Sequence, residues 1–345
     1  MPELPEVEAV RAGLARHVTG LRVQDVEVRD PRPLRRQVGG PAAFREELVG
    51  RTVTAVVRRG KFLWLPLDDG RALSAHLGMS GQMLVRSGER SNGDGTRESD
   101  YLGDPADAVV DLTATRAPSL VRDLSTSPRH LRVRIRLSGG GSHGAGARGT
   151  DTAGAVGPVL LDLVDQRMLG GLHLTDLVPT ADGAPGGAGS PAPLMPADAT
   201  HIARDLLDPA LDLDAVVARI RASRRAVKTI LLDQGVVSGI GNIYADEGLW
   251  AARVHGRRPG TAMGPRVTPR LLAATAEVMR RALAVGGTSF DSLYVDADGA
   301  PGYFARSLEV YGRAGQECRR CGTVLRTEVL AARSHTFCPH CQRIR

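Results

Sequence analysis

All four cysteines of this 345-residue chain fall in its last 28 residues. They stand as Cys318-Arg-Arg-Cys321 and Cys338-Pro-His-Cys341, with 16 residues between the pairs. Two CxxC knuckles at this spacing form the ligand pattern of a four-cysteine zinc site. Disulfides are the competing reading, and they belong to oxidising compartments. A ribbon this small cannot fold on its own apolar surface, so the metal supplies its folding energy. One structural Zn2+ on Cys318, Cys321, Cys338 and Cys341 is therefore expected. No redox or nucleotide cofactor is expected.

The rest of the chain has room for two ordinary domains, and its 42% hydrophobic content is that of a globular protein. The opening MPELPEVEAV places acids where a secretory signal needs an apolar run. No run of about 18 apolar residues offers a membrane span. A cytoplasmic protein without membrane contact is expected, acting as a monomer. The net charge of +7, from 45 basic and 38 acidic residues, suits a polyanionic partner, DNA or RNA first. A merely solvated basic surface is the plainer alternative. Only two of the basic residues are lysines, Lys61 and Lys228. Lysine can give up a proton and arginine effectively cannot. A lysine retained among so many arginines points to chemistry of its own, with chance as the alternative.

Periodicity places the elements. Val7, Val10, Leu14 and Val18 form one stripe of a helix over residues 3–18, with Pro2 and Pro5 at its start. Strands are expected at Leu21–Arg29, Arg51–Arg59, Phe62–Leu67, Leu131–Leu137 and Val159–Asp165. Residues 87–128 and 139–157 read as surface insertions, and the Pro/Gly/Ala-rich 181–199 as a linker. Helices follow at Leu211–Ile220, Ala226–Asp233, Tyr244–Ala252 and Pro269–Val285. The fold class expected is α+β. An N-terminal helix and β-sandwich occupy residues 1–180, a helical unit 200–305, and the ribbon 306–345.

The chemistry begins at the N-terminus. A small residue after the initiator Met permits its removal, which leaves Pro2 with a free secondary amine. An α-amine titrates near ~8 against ~10.4 for lysine, so roughly 10% is free base at neutral pH, as an upper figure for proline. Such an amine attacks an aldehyde-like sugar carbon to give a Schiff base. From proline the product is an iminium with no N–H proton to lose, and it stays an electron sink for elimination. A Pro at position 2 is by itself weak evidence, because many chains begin this way for processing reasons.

The string around it is more specific. PELPEVE (2–8), RRGKFLW (58–64), HLGMSG (76–81), SGIGNIYADE (238–247) and the run GGTS…GAPGYFARSLEVYGR…CRRC…RSHTFCPHC (286–341) occur in this order. Together they resemble the signatures of the formamidopyrimidine-DNA glycosylases, over most of the chain outside the insertions and linker. The resemblance implies a bifunctional DNA glycosylase and AP lyase, with a helix–two-turn–helix element and a zinc finger. It implies that Pro2 is the nucleophile at C1′ and Glu3 the general acid/base. Lys61 would serve elimination and touch phosphate. Arg333, five residues before Cys338, would grip the phosphate beside the lesion and assist the second elimination.

The same resemblance implies the DNA contacts. Asn242 sits at a glycine-punctuated helix start, where N–H groups and the helix dipole favour a phosphate. His76, His130, Tyr311, Lys228, Arg224 and Arg225 are further phosphate candidates. A glycosylase extrudes its base, and a side chain must fill the void. Met79 matches the void-filling methionine. In Asp165-Gln-Arg-Met-Leu-Gly170, Arg167 would face the orphaned base. Leu169 stands where the family has a wedge phenylalanine, and Met168 where it has a second arginine. Leucine can wedge between bases but cannot stack. Glu6, Thr288, Ser289 and Tyr303 are candidates for the lesion pocket. The implied substrate is 8-oxoguanine or a formamidopyrimidine in damaged double-stranded DNA. Oxidised pyrimidines, the substrates of the endonuclease VIII branch, are the alternative, but PELPEVE departs from that branch's Pro-Glu-Gly-Pro start. A non-catalytic DNA-binding paralogue is the third reading, and the retained Pro2, Glu3, Lys61 and Arg333 argue against it.

Overall fold

Helix α1 (Leu4–Val18) opens the fold and belongs to both halves of the molecule. In this computed structural model, residues 2–87, 90–91, 97–98, 130–139, 159–286 and 307–344 are described. Pro5 sits in the first turn, where its missing N–H costs nothing, and Glu6 supplies an acid near the positive end of the dipole. Val7, Val10, Leu14 and Val18 are buried in the first core as the stripe requires. Leu4 points into a second core with the C-terminal helices. One helix thus fixes the chain's N-terminus at the junction.

The first core lies between two antiparallel sheets. One sheet orders β1 (Leu21–Val28), β8 (Leu131–Gly139), β9 (Val159–Asp165) and β5 (Gly81–Ser87) side by side. The other orders β11 (Leu194–Pro196), β10 (Gly171–Pro179), β4 (Arg71–His76), β3 (Phe62–Pro66) and β2 (Val57–Arg59). Alternation drives the packing, with Val133, Ile135 and Leu137 facing Val159, Leu161 and Leu163 across the ladder. The β8–β9 register slips between Leu131 and Val133. Leu131 therefore joins Leu84 and Val164 in a separate cluster instead of the main core. Arg134 is itself buried, and both arms of its guanidinium grip the fully buried Asp162 at 2.7 Å.

Several elements carried no clear period. Helix α2 (Gly40–Leu48) buries only Phe44 and Leu48. Strand β4 reads RALSAH, with no β-branched residue, and is held by pairing on both sides. Of the expected strand Arg51–Arg59, only the last three residues form β2. The expected insertion 87–128 and the 139–157 segment lie almost wholly outside the described residues, apart from β6 (Arg90–Ser91) pairing β7 (Arg97–Glu98).

The Pro/Gly segment 181–199 is packed, not a bare connector. It supplies β11, which pairs with β10, and Ala188 bridges to Arg58. Its glycines serve close approach: a Cβ on Gly186 would lie 1.8 Å from the Leu194 carbonyl oxygen, and one on Gly187 2.2 Å from that of Arg58. Linker-like composition here reflects the lack of space over Trp64.

The second core gathers α3 (Leu213–Ala222), α4 (Val227–Leu231), α5 (Asn242–Ala251) and α6 (Val267–Leu283). Helix α3 is capped by Asp212, whose carboxylate accepts from Ala215 N–H at 2.9 Å. The chain ends in a hairpin, β12 (Arg326–Leu330) and β13 (Arg333–Phe337). Its two-residue turn holds Ala331 and Ala332 at φ 51° and 59°.

Candidate active site and DNA interface

A cleft of about 630 Å³ opens between the two halves, lined among others by Glu3, Lys61, Met79, Asn242, Tyr311 and Arg333. Six of the sequence candidates, taken from five separate motifs, meet here. Pro2 is buried one peptide before Glu3, so their Cα atoms are about 3.8 Å apart.

Glu3 is held by the start of α5. Its carboxylate accepts N–H bonds from Gly241 at 2.7 Å, Ile243 at 2.8 Å and Tyr244 at 3.2 Å. Gly241 must be glycine, since a Cβ there would lie 2.4 Å from the Glu3 carboxyl carbon. This revises the reading of the helix start. Its N–H groups and dipole are spent on Glu3, not on a phosphate, and only the Asn242 side chain remains for the cleft. Burial pushes the Glu3 carboxyl up to about 7, partly offset by Lys61. Glu6 stands behind Glu3 instead of lining the cleft. It accepts from Glu3 N–H at 2.9 Å and from the Tyr244 hydroxyl at 2.8 Å.

Lys61 follows Gly60 at the β2–β3 turn and donates to the Ile240 carbonyl at 2.8 Å. Burial lowers its pKa, against the pull of Glu3 and Glu6, with Arg333 lowering it further. The turn is anchored by charges that looked ordinary in the sequence. Arg58 is buried and pairs with Glu8 at 2.7 Å and Asp205 at 2.8 Å, and Asp205 also accepts from Gly60 N–H at 3.1 Å.

The void-filling loops are adjacent. A Cβ on Gly78 would lie 2.5 Å from the Leu169 carbonyl carbon. Met79 and Leu169 are left 41% and 43% exposed on these adjacent loops. Asp165 ties the second loop, accepting from Ser80 Oγ at 2.6 Å, Arg167 N–H at 3.1 Å and Gly170 N–H at 2.7 Å. Arg35 holds it from outside through the Gly170 and Leu169 carbonyls at 2.8 Å and 3.1 Å. Met168 sits at φ 54° in this loop.

The remaining candidates divide. His76 lines a neighbouring cavity of about 60 Å³ with Arg35, Arg36 and His173, and burial followed by the two arginines lowers its pKa. His130 stands near the Asp165 loop, where its ring nitrogen approaches Arg132 at 3.4 Å and its carbonyl accepts from Asp165 N–H at 3.0 Å. Arg224 and Arg225 are exposed, and Arg225 pairs with Asp233 at 2.9 Å. Lys228 cannot meet a phosphate. It is 1% exposed, paired with Asp246 at 2.7 Å and donating to the Ser334 carbonyl. Desolvation would forbid so buried a cation without its carboxylate. Thr288, Ser289 and Tyr303 lie outside the described residues.

The four cysteine Sγ atoms lie within 4.8 Å of one another. Tetrahedral zinc with bonds of about 2.3 Å needs sulfur separations of about 3.8 Å, and all-thiolate donors suit it. The set fits one structural Zn2+. Trp250 Nε1–H donates to Cys318 Sγ at 3.4 Å and Arg320 covers the Trp250 ring at 3.7 Å, docking the ribbon on the end of α5. A second group, His255, Glu328 and His335, is also clustered. Its members are otherwise engaged: Glu328 by Arg257 at 2.8 Å, and His335 by Asp246 at 2.7 Å and Gly256 N–H at 3.1 Å. Sequence reasoning passed over Asp246 and Glu247. Glu247 accepts from the N–H groups of Glu309, Val310 and Tyr311, the last two at 2.8 and 2.9 Å. Acidic residues late in a glycine-led motif were the only signal.

Three family models match: the formamidopyrimidine-DNA glycosylase N-terminal domain over residues 1–171, its H2TH domain over 202–293, and the zinc finger found in FPG and IleRS over 315–344. A formamidopyrimidine-DNA glycosylase of Nocardioides sp. is 46% identical over 342 residues, 99% of this chain and 94% of its own length. One from Leifsonia xyli is 46% identical over the full length of both chains. A Lactococcus lactis FPG mutant in complex with Fapy-dG-containing DNA is similar at 25% identity and TM-score 0.69, covering 99% of this chain and 100% of that one.

Proposed function

The chain belongs to the formamidopyrimidine-DNA glycosylase family, and from that premise we propose how its own residues remove an oxidised purine and cut the strand behind it. It is a bifunctional DNA glycosylase and AP lyase of base-excision repair, acting on 8-oxoguanine and formamidopyrimidines in duplex DNA. Its relatives stand on the purine side of the family, not with the oxidised-pyrimidine branch.

Pro2 nitrogen donates its lone pair to C1′ of the damaged nucleotide. The glycosidic bond breaks, and the base leaves with that electron pair and takes up a proton. Glu3, protonated for part of the population near pH 7, donates to the ring oxygen O4′ as the sugar opens to the Pro2 iminium. A general base takes a C2′ proton, the C–H electron pair flows toward this sink, and the C3′–O bond breaks as the phosphate leaves with its bonding pair. A second proton loss, at C4′, breaks the C5′–O bond, and water then releases Pro2. Lys61 neutralises phosphate and serves these eliminations, and Arg333 grips the phosphate beside the lesion. Met79, Arg167 and Leu169 fill the void. Zinc does no chemistry here; it folds the ribbon that carries Arg333. The protein acts as a monomer in the cytoplasm.

What carries this reading is the convergence of Glu3, Lys61 and Arg333 on one cleft beside Pro2. Its test is Glu3→Gln in single-turnover excision of 8-oxoguanine opposite cytosine. Excision should fall by about 10²–10⁴-fold with zinc content unchanged. Undiminished excision would remove Glu3 from the mechanism.

A further inference from the structure

We infer that Asp246 is a positioning residue for Arg333, acting through a buried hub with Lys228 and His335. This rests on the reading of Arg333 given above.

Asp246 is wholly buried, one turn into α5. Its Oδ1 takes Lys228 Nζ and His335 Nδ1, each at 2.7 Å, and its Oδ2 takes Thr336 N–H at 2.9 Å. Lys228 also donates to the Ser334 carbonyl, and Asn242 Nδ2 reaches Ser334 Oγ at 3.0 Å. The far side of the His335 ring accepts Gly256 N–H at 3.1 Å. Residues 334, 335 and 336 are thus each fastened, and Arg333 is the next residue out. Beyond it lies only the strained Ala331–Ala332 turn.

The same helix holds Glu3 at its first turn. Helix α5 therefore acts as a ruler, with the acid at one mark and the strand bearing Arg333 at the next. All three hub residues are titratable groups that a plain hydrophobic contact could replace. A buried pair of this kind is seldom a net gain in stability over an apolar replacement, so its presence here is read as positional. The hub also gives Lys228, the second of only two lysines, a use that needs no DNA contact.

The experiment is a double-mutant cycle. Asp246→Asn alone leaves Lys228 buried and unpaired and threatens folding, so Lys228→Met/Asp246→Asn removes the pair together. Zinc content and melting are measured first, then single-turnover excision and the ratio of δ- to β-elimination product on an abasic duplex. The paired variant should retain zinc and excise within a few-fold of wild type. Its δ-to-β ratio should fall about tenfold, and adding Arg333→Ala should lower it little further. An Arg333→Ala effect that is fully additive in the paired variant overturns the positioning role and leaves the Arg333 reading standing. An Arg333→Ala change without effect in the wild-type chain overturns both. A paired variant that loses zinc shows the hub to be structural only, and overturns the inference.

Discussion

Glu3 is pulled two ways. Burial disfavours its charge, while three N–H donors and Lys61 favour it, and the carboxyl comes to rest at about 7. Because that value lies above the ordinary 4.5, the folded chain holds a proton at Glu3 that the unfolded chain has lost, between pH 4.5 and about 7. Stability contributed at this site therefore falls as pH rises through that window. Thermal unfolding should show the decline, and a Glu3→Gln chain should show less of it. Catalysis has its own profile. Pro2 must be unprotonated and Glu3 protonated, so excision should follow a bell with its alkaline limb near 7. An alkaline limb well above 7 would assign the essential acid to a group other than Glu3. Pro2, Glu3 and Lys61 were legible because their motifs are short and contiguous. Asp246, Asp205 and Asp165 were not, because a buried carboxylate is specified by donors far away in sequence.

Elements carry the next set of constraints. Helix α1, strands β3, β8 and β9, and helices α3 to α6 announced themselves by an apolar period or a short apolar run, since each is built largely from core-facing residues. Strand β4 and the 181–199 segment did not, because ladder pairing and close backbone approach, not side-chain pattern, hold them. The hairpin tip has a testable cost. Ala331 and Ala332 both occupy the left-handed region, which disfavours a Cβ by about 1 kcal/mol per residue. Ala332→Gly should stabilise the protein by about that amount in denaturant unfolding, as the two-residue turn prefers. A loss of stability would mean that the alanine methyl group contributes more than the strain. The 165–170 loop makes a second prediction. Leu169→Phe should speed excision by a few-fold by adding a stacking wedge. A slower variant would show that the loop, braced by Arg35 and Asp165, has no room for the ring.

At the scale of the molecule, function lies at the seam between a β-sandwich and a helical half, with a metal ribbon closing it. The charge of +7 implies binding dominated by phosphate. Removing the exposed Arg224 should weaken binding across sequences and lower the salt slope by about one if it meets a phosphate. An unchanged slope would place Arg224 off the DNA. Stripping zinc should release β12–β13 and remove the δ-elimination before the β-elimination, because Arg333 rides on the ribbon while Pro2 and Glu3 do not. The sequence foretold these parts better than their joining, since the seam depends on contacts such as Glu3 to Tyr244, 241 residues apart. The central claim is that the Pro2 amine performs the chemistry. The direct measurement is borohydride trapping on a duplex with one 8-oxoguanine opposite cytosine, followed by peptide mapping. The account predicts a covalent adduct on the N-terminal peptide at Pro2. An adduct mapped to Lys61 or Lys228, or tight binding with no adduct, would contradict it.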